Sequence, residues 1–165
     1  MSKALRIAKT NAARLLDRMG LPYALLSVPV DESDLSAVTV AERLGVDPAC
    51  VFKTLVARGD RTGILMACIP AAAELDLKAL AEASGNKHVE MVHLKEVFPL
   101  TGYIRGGCSP LAAKKAYPVF LDDSAARHAQ IHVSAGQRGV QLRLAPAVLQ
   151  QAAHAVLAPL CRAKD

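Results

Sequence analysis

The chain has 165 residues, 52% of them hydrophobic and 21% charged, a balance that allows a real buried core and excludes a disordered or low-complexity protein. Twenty Lys and Arg against 15 Asp and Glu give a net charge of +5, which suits a polyanionic partner, while 4% aromatic residues and no Trp shift any RNA contact from stacking toward cations and backbone groups. No apolar run reaches the length of a membrane span, and MSKALRIAKTNAARLLDRMG interrupts its apolar residues with regular charges where a signal peptide needs a continuous core, so a cytoplasmic protein is expected.

In chain order, Ser2 is placed to cap a first helix carrying Leu5, Ala8, Ala12, Leu15, Leu16 and Met19 at helical spacing, stopped by Gly20 and Pro22. YALLSVPV reads as a strand. TVAERLG holds a capping-box pattern from Thr39 to Glu42 and closes at Gly45, delivering the chain into VFKTLVARGD, a β-branched and aromatic strand ended by Gly59-Asp60. GILMACIPA is a second strand, and the intervening RGDRT predicts an antiparallel hairpin. ELDLKALAEASG is an amphipathic helix ending at Gly85, and the ambiguous KHVEMV leads into HLKEVFP. Beyond the GGCSP loop come strands at YPVFLD and QIHVS, a turn at AGQRG, a strand at VQLRL, and a last helix from Pro146 through AVLQQAAHAVLA. Without repeat or linker, residues 1–165 read as a single domain of α+β class, with one mixed, strongly curved β-sheet flanked by helices.

Three stretches hold candidate functional residues. Alternation along VFKTLVARGD sets Val51, Lys53, Leu55 and Ala57 on one face and Phe52, Thr54 and Val56 on the other, which gives Lys53 apolar neighbours on both sides. Two readings stay open: an edge lysine whose stem covers apolar surface, or an ammonium at the floor of a cleft whose partner arrives with a ligand. In TGYIRGGCSPLAAKK, Gly106 and Gly107 free the backbone, while Pro110 biases Ser109 toward an extended shape. Ser109 is then a candidate N-cap and Pro110 the first residue of a helix PLAAKKA, whose free N–H groups would favour developing negative charge; a plain structural turn is the alternative. IHVSAGQRGVQLRL is a hairpin in which Ser134 and Gln141 either line a cleft or face water.

Cys50, Cys68, Cys108 and Cys161 form no C-x-x-C pair, so they read as reduced thiols rather than a zinc knuckle or redox dithiol. His128 and His132 have ligand-like spacing, yet no cysteine or carboxylate cluster joins them, and no metal site is expected. Cys108, in a glycine loop, is a weak candidate nucleophile because no histidine base lies nearby in sequence.

VFKTL, GGCSP and VSAGQRGVQLRL, occurring in this order with LDLKALAEASGNKHVEM and TGYIRGGCSPLAAKKAYPVFLD, together resemble the YbaK family of free-standing aminoacyl-tRNA editing domains. Related domains are inserted in some bacterial prolyl-tRNA synthetases, and the resemblance covers nearly everything from Tyr23 to the final helix. It implies hydrolysis of the ester of mischarged tRNA, and for the YbaK branch removal of cysteine from tRNA specific for proline. It implies Lys53 as the central active-site residue and Gly106, Gly107, Cys108, Ser109 and Pro110 as the loop around the aminoacyl group. Thr54 and Ser134 match pocket positions, and Gly136 and Gln141 complete the implied substrate-binding set. The branch often carries a tyrosine near Val28 and an aspartate at Gln141, so both are departures. The implied chemistry has Lys53 anchoring ribose hydroxyls or phosphate oxygens, Gly106 and Gly107 amides stabilising the oxyanion, and the substrate's own thiol as nucleophile. Partners would be the aminoacylated 3′ end of tRNA and prolyl-tRNA synthetase, with no cofactor, metal or membrane. Editing of another small amino acid such as alanine by a positioned water, or a non-catalytic RNA- or synthetase-binding module, are the alternatives.

Overall fold

In the computed structural model, which describes residues 7–163, helix α1 (Asn11–Met19) is opened by Thr10, whose hydroxyl accepts from Ala13 N–H, and closed by Gly20 at positive φ. Ser2 and Leu5 lie outside the described residues, and Ala8 precedes the helix; Ala12, Ala13 and Leu16 make its buried stripe. After β1 (Ala24–Ser27), α2 (Ala37–Leu44) is capped by Ser36 rather than Thr39. Ser36 Oγ accepts from Thr39 N–H at 3.3 Å, and the Thr39 hydroxyl instead donates to Asp34 at 2.6 Å.

A short 3-10 turn, Pro48–Cys50, feeds β2 (Phe52–Gly59), which pairs antiparallel with β3 (Gly63–Pro70) in unbroken register from Phe52–Pro70 to Gly59–Gly63, as the hairpin signal predicts. Its turn is held from outside by Asn86: Oδ1 accepts from Arg61 N–H at 2.8 Å and Thr62 N–H at 3.0 Å, and Nδ2 donates to Thr62 Oγ1 and Ser84 Oγ. Helix α3 (Leu77–Ser84), capped by Asp76, leads to β4 (Val89–Met91), the resolution of the ambiguous KHVEMV. In α4 (Leu94–Thr101) the Glu96 carboxylate accepts from His93 N–H at 2.9 Å.

The helix expected over PLAAKKA is absent. Ser109 Oγ accepts from Leu111 N–H at 3.2 Å in a local turn, and Ala112 takes φ 59°, which breaks a right-handed helix at its third residue. The chain then forms β5 (Val119–Asp122), a 3-10 turn Asp123–Arg127, β6 (Ile131–Gln137) and β7 (Val140–Leu144). The last helix, α5 (Pro146–Ala153), is shorter than its sequence pattern: His154 turns left-handed at φ 53°, and the remaining apolar residues become β8 (Val156–Ala158), parallel to β5.

The class is α+β, with the expected sheet divided in two. β1-β7-β6 is an antiparallel three-stranded sheet, and β4-β2-β3-β5-β8 is a mixed five-stranded one. They touch where Val51 forms a parallel bridge with His132. The main core, including Phe52, Val56, Met66, Leu121, Ile131, Val133, Leu142 and Leu149, fills the space between them under α1 and α5. Ala57, Leu65, Ile69, Leu80, Phe120 and Leu160 form a second cluster on the α3 side. No helix among the described residues is long and apolar enough to cross a membrane.

Candidate functional site

The site follows from the polarity of one strand. Val51 C=O accepts from Ala71 N–H at 2.8 Å on the β3 side, and Val56 C=O accepts from Val92 N–H at 3.2 Å on the opposite side. Odd-numbered residues of β2 therefore turn their main-chain groups toward β3, and even-numbered residues turn theirs to the other edge. On that edge β2 touches β6 at the Val51–His132 bridge and meets β4 from Ala57 onward. Between the two contacts the edge is open, and a cavity of about 410 Å³ occupies the gap. Leu35 and Val40 wall one end, Met91, Leu94 and Val97 the other, while Ser134 and Gln141 from the β6–β7 hairpin form its floor.

This opening bears on the question that periodicity leaves unsettled. Leu55 and Ala57, on Lys53's face, pack into the α3-side cluster, whereas Phe52 and Val56, on Thr54's face, pack between the sheets. Lys53 and Thr54 point to opposite faces yet line one cavity, because it wraps around an unpaired edge. Lys53 is half-buried at this rim.

Of the residues singled out from sequence, Lys53, Thr54, Gly106, Cys108, Ser134 and Gln141 line the cavity together. The other four stand outside its lining. Gly107 N–H donates to Ile104 C=O at 2.9 Å, so that amide is committed to the turn; a Cβ there would also lie 3.1 Å from Arg138 N. Ser109 is fully buried, its hydroxyl holding Leu111 N–H, and Pro110 is buried beside it. Gly136 at φ 99° leaves no room for a side chain, since a Cβ would lie 2.7 Å from the Tyr103 ring. Its N–H donates to Ser134 Oγ at 3.1 Å and so orients a floor residue.

Arg105, Met91 and Leu94 are lining residues that sequence reasoning passed over. Arg105 stands inside the loop already singled out, whereas Met91 and Leu94 carry no motif; their exposure, 42% and 58%, becomes meaningful only at the mouth of a cleft.

Electrostatically, Lys53 and Arg105 are the charged groups of the lining, which contains neither carboxylate nor imidazole. Burial pushes the Cys108 thiol up to about 11, with a Thr101 hydrogen bond opposing the shift. Behind it Cys68, fully buried, is pushed up to about 12 by desolvation, and Thr54 Oγ1 lies 3.6 Å from its sulfur. Both thiols are protonated at neutral pH. Gln141 is 6% exposed and its Oε1 is buried without a partner. His132, on the same hairpin, is held below the ordinary imidazole range by burial and then by Arg143. No three His, Cys, Asp or Glu side chains among the described residues gather as a metal-binding group. Such a site is equipped to hold a neutral reacting group beside an anion-seeking rim.

The family model for the aminoacyl-tRNA editing domain matches residues 32–152, which include every cavity residue named above. "Putative Cys-tRNA(Pro)/Cys-tRNA(Cys) deacylase EbsC" of Enterococcus faecalis is 50% identical over 146 residues, covering 88% of this chain and 89% of its own. Among solved structures, one of a hypothetical protein superposes with a TM-score of 0.82 at 25% identity, over 90% of this chain and 97% of the other. The structure of a "putative trans-editing enzyme for prolyl tRNA synthetase" gives a TM-score of 0.81 at 22% identity, over 94% of this chain and 100% of the other, and bears on the fold.

Proposed function

The chain belongs to the aminoacyl-tRNA editing domain family, and from that premise we propose that it hydrolyses the ester of mischarged tRNA, with cysteinyl-tRNA specific for proline as its substrate. The observation that carries this reading is a cavity lined by Lys53 and by the small neutral polar groups of Thr54, Ser134 and Gln141, with no carboxylate, imidazole or thiolate to act as base or nucleophile. An active site of this kind needs a substrate that brings its own nucleophile. Cysteine does so: its thiol attacks the ester carbonyl, a C–S bond forms, the C–O bond to ribose breaks, and the thiol proton ends on the ribose oxygen. Water then opens the strained thiolactone to free cysteine. Holding thiol and carbonyl together in one conformer supplies the acceleration. Lys53 contributes by anchoring ribose hydroxyls or phosphate oxygens.

The name of the Enterococcus relative supports the substrate, at 50% identity across most of both chains. The aminoacylated 3′ end of tRNA is the partner that the chemistry requires, and prolyl-tRNA synthetase, as the source of the mischarged product, is the proposed protein partner. The cytoplasm, where tRNA is charged, is the proposed compartment.

Deacylation of cysteinyl-, seryl- and alanyl-tRNA for proline by the purified protein tests this. The cysteinyl ester is expected to turn over about 10²-fold faster than the seryl ester, and Cys108→Ser to retain that activity. Equal rates on the cysteinyl and alanyl esters would replace the substrate thiol with a bound water. Hydrolysis of none would leave a binding module and defeat the deacylase reading.

A further inference from the structure

Thr54 is an even-numbered residue of β2, so its main-chain N–H and C=O both face the open edge between the β6 and β4 contacts. Among the described residues, no neighbour across the gap bonds to either group. A strand residue left in this state is half of a β-bridge whose other half is missing. We propose that the aminoacyl group of the substrate is that other half, and forms a one-residue antiparallel bridge with Thr54. The inference rests on the deacylase reading and specifies how its substrate is held.

An aminoacyl ester carries a donor nitrogen and an acceptor carbonyl on a single Cα, the same pair that a residue of a β-strand presents. Thr54 C=O accepts from the α-ammonium, and Thr54 N–H donates to the ester carbonyl. Two features favour this arrangement. The lining holds two cations and no carboxylate, so a substrate ammonium must be met by a neutral acceptor. Gly107 N–H is committed to Ile104 C=O, which removes one of the two loop amides expected to serve the carbonyl and leaves room for another fixed donor. A strand amide supplies one, and its bond strengthens as the carbonyl oxygen gains charge.

Antiparallel polarity then places everything else. The carbonyl lies over the Lys53 side of Thr54, so the ester oxygen and ribose continue along the edge toward Phe52 and Lys53, both of which line the cavity. Directly opposed residues of antiparallel strands put their side chains on the same face. The amino acid side chain therefore sits on Thr54's face, where Cys68 and Cys108 lie.

Three measurements test the bridge. In the first, 3-mercaptopropionyl-tRNA for proline, which keeps the thiol and lacks the α-ammonium, is compared with cysteinyl-tRNA after division by each ester's spontaneous hydrolysis. A loss of about 10²-fold in kcat/KM is expected. In the second, the α-hydroxy analogue of threonine at position 54 replaces the amide by an ester and removes one N–H with the side chain intact; kcat is expected to fall about 10²-fold. In the third, NMR follows the Thr54 amide as the non-hydrolysable 3′-cysteinylamido-adenosine is added. Its resonance is expected to move downfield, and to move less with the mercaptopropionyl analogue. Should the ester-containing chain not fold, this third measurement decides. Parent-like rates for the deaminated substrate, or an unmoved Thr54 amide under a saturating analogue, would overturn the bridge while cysteinyl-tRNA hydrolysis kept the deacylase reading intact. Failure of the unaltered protein to hydrolyse any aminoacyl-tRNA would remove both.

Discussion

Lys53 is half-buried and lines the cavity, and its ammonium is the chemically useful part. Lys53→Ala is expected to reduce deacylation by about 10²-fold or more while moving the thermal midpoint little, because the deleted atoms fill rim rather than core. Lys53→Arg should also be slow, since a planar guanidinium does not reproduce the position of a compact ammonium. A rate within a few-fold of the parent for the alanine variant would remove Lys53 from the mechanism. At this scale the sequence was informative wherever a side chain carries the signal. A lysine between apolar neighbours was conspicuous, and the resemblance directed attention to Thr54, Ser134 and Gln141, all of which line the cavity. Main-chain roles were not legible. That Gly107 N–H bonds Ile104, and that Thr54 N–H faces an open edge, depends on turn geometry and on which strand ends where, and no residue type encodes either directly.

Among the elements, the β2–β3 hairpin depends on a residue well outside it. Asn86 is 8% exposed, meets the turn amides of Arg61 and Thr62, and lies so close to Gly59 that a Cβ there has no space. Asn86→Ala should destabilise the fold by about 1–3 kcal/mol, read from urea denaturation, by stripping acceptors from two turn amides. Gly59→Ala should also destabilise, by forcing Asn86 away; an unchanged urea midpoint in Asn86→Ala would show the latch to be dispensable. Most elements were visible as periodicity bounded by glycines: α1, α2 and α3 all close on the glycine that marks them. Two helices fall short of their sequence patterns. AVLQQAAHAVLA has helical spacing throughout, but its end pairs with β5, a partner distant in sequence, and that pairing overrides local preference. Likewise PLAAKKA has a good helical start, yet the turn at Ser109 and the left-handed Ala112 take its first residues elsewhere.

Across the whole molecule, burial of thiols couples the fold to alkaline pH. Cys68 is raised from 9.0 to about 12 and Cys108 to about 11, chiefly by desolvation, so on a rise in pH the unfolded chain loses these protons first. Their contribution to stability is complete below the ordinary thiol value and is lost as pH climbs from about 9 through 11–12. The urea midpoint should therefore fall between pH 8 and pH 10.5, and fall less steeply in Cys68→Ala; identical slopes would assign the loss to other groups. The same architecture sets a limit on what the protein can recognise. The open edge of β2 runs from Phe52 to Val56, about 13 Å at a strand's rise per residue, bounded at one end by β6 and at the other by β4. That length admits an amino acid and the nucleoside bearing it, and is too short for a base-paired stem to enter. A clamp of these dimensions reaches the aminoacylated end, and any reading of the tRNA body falls to surfaces outside it. On the deacylase reading, the edge itself therefore offers no means of telling one tRNA carrier of cysteine from another.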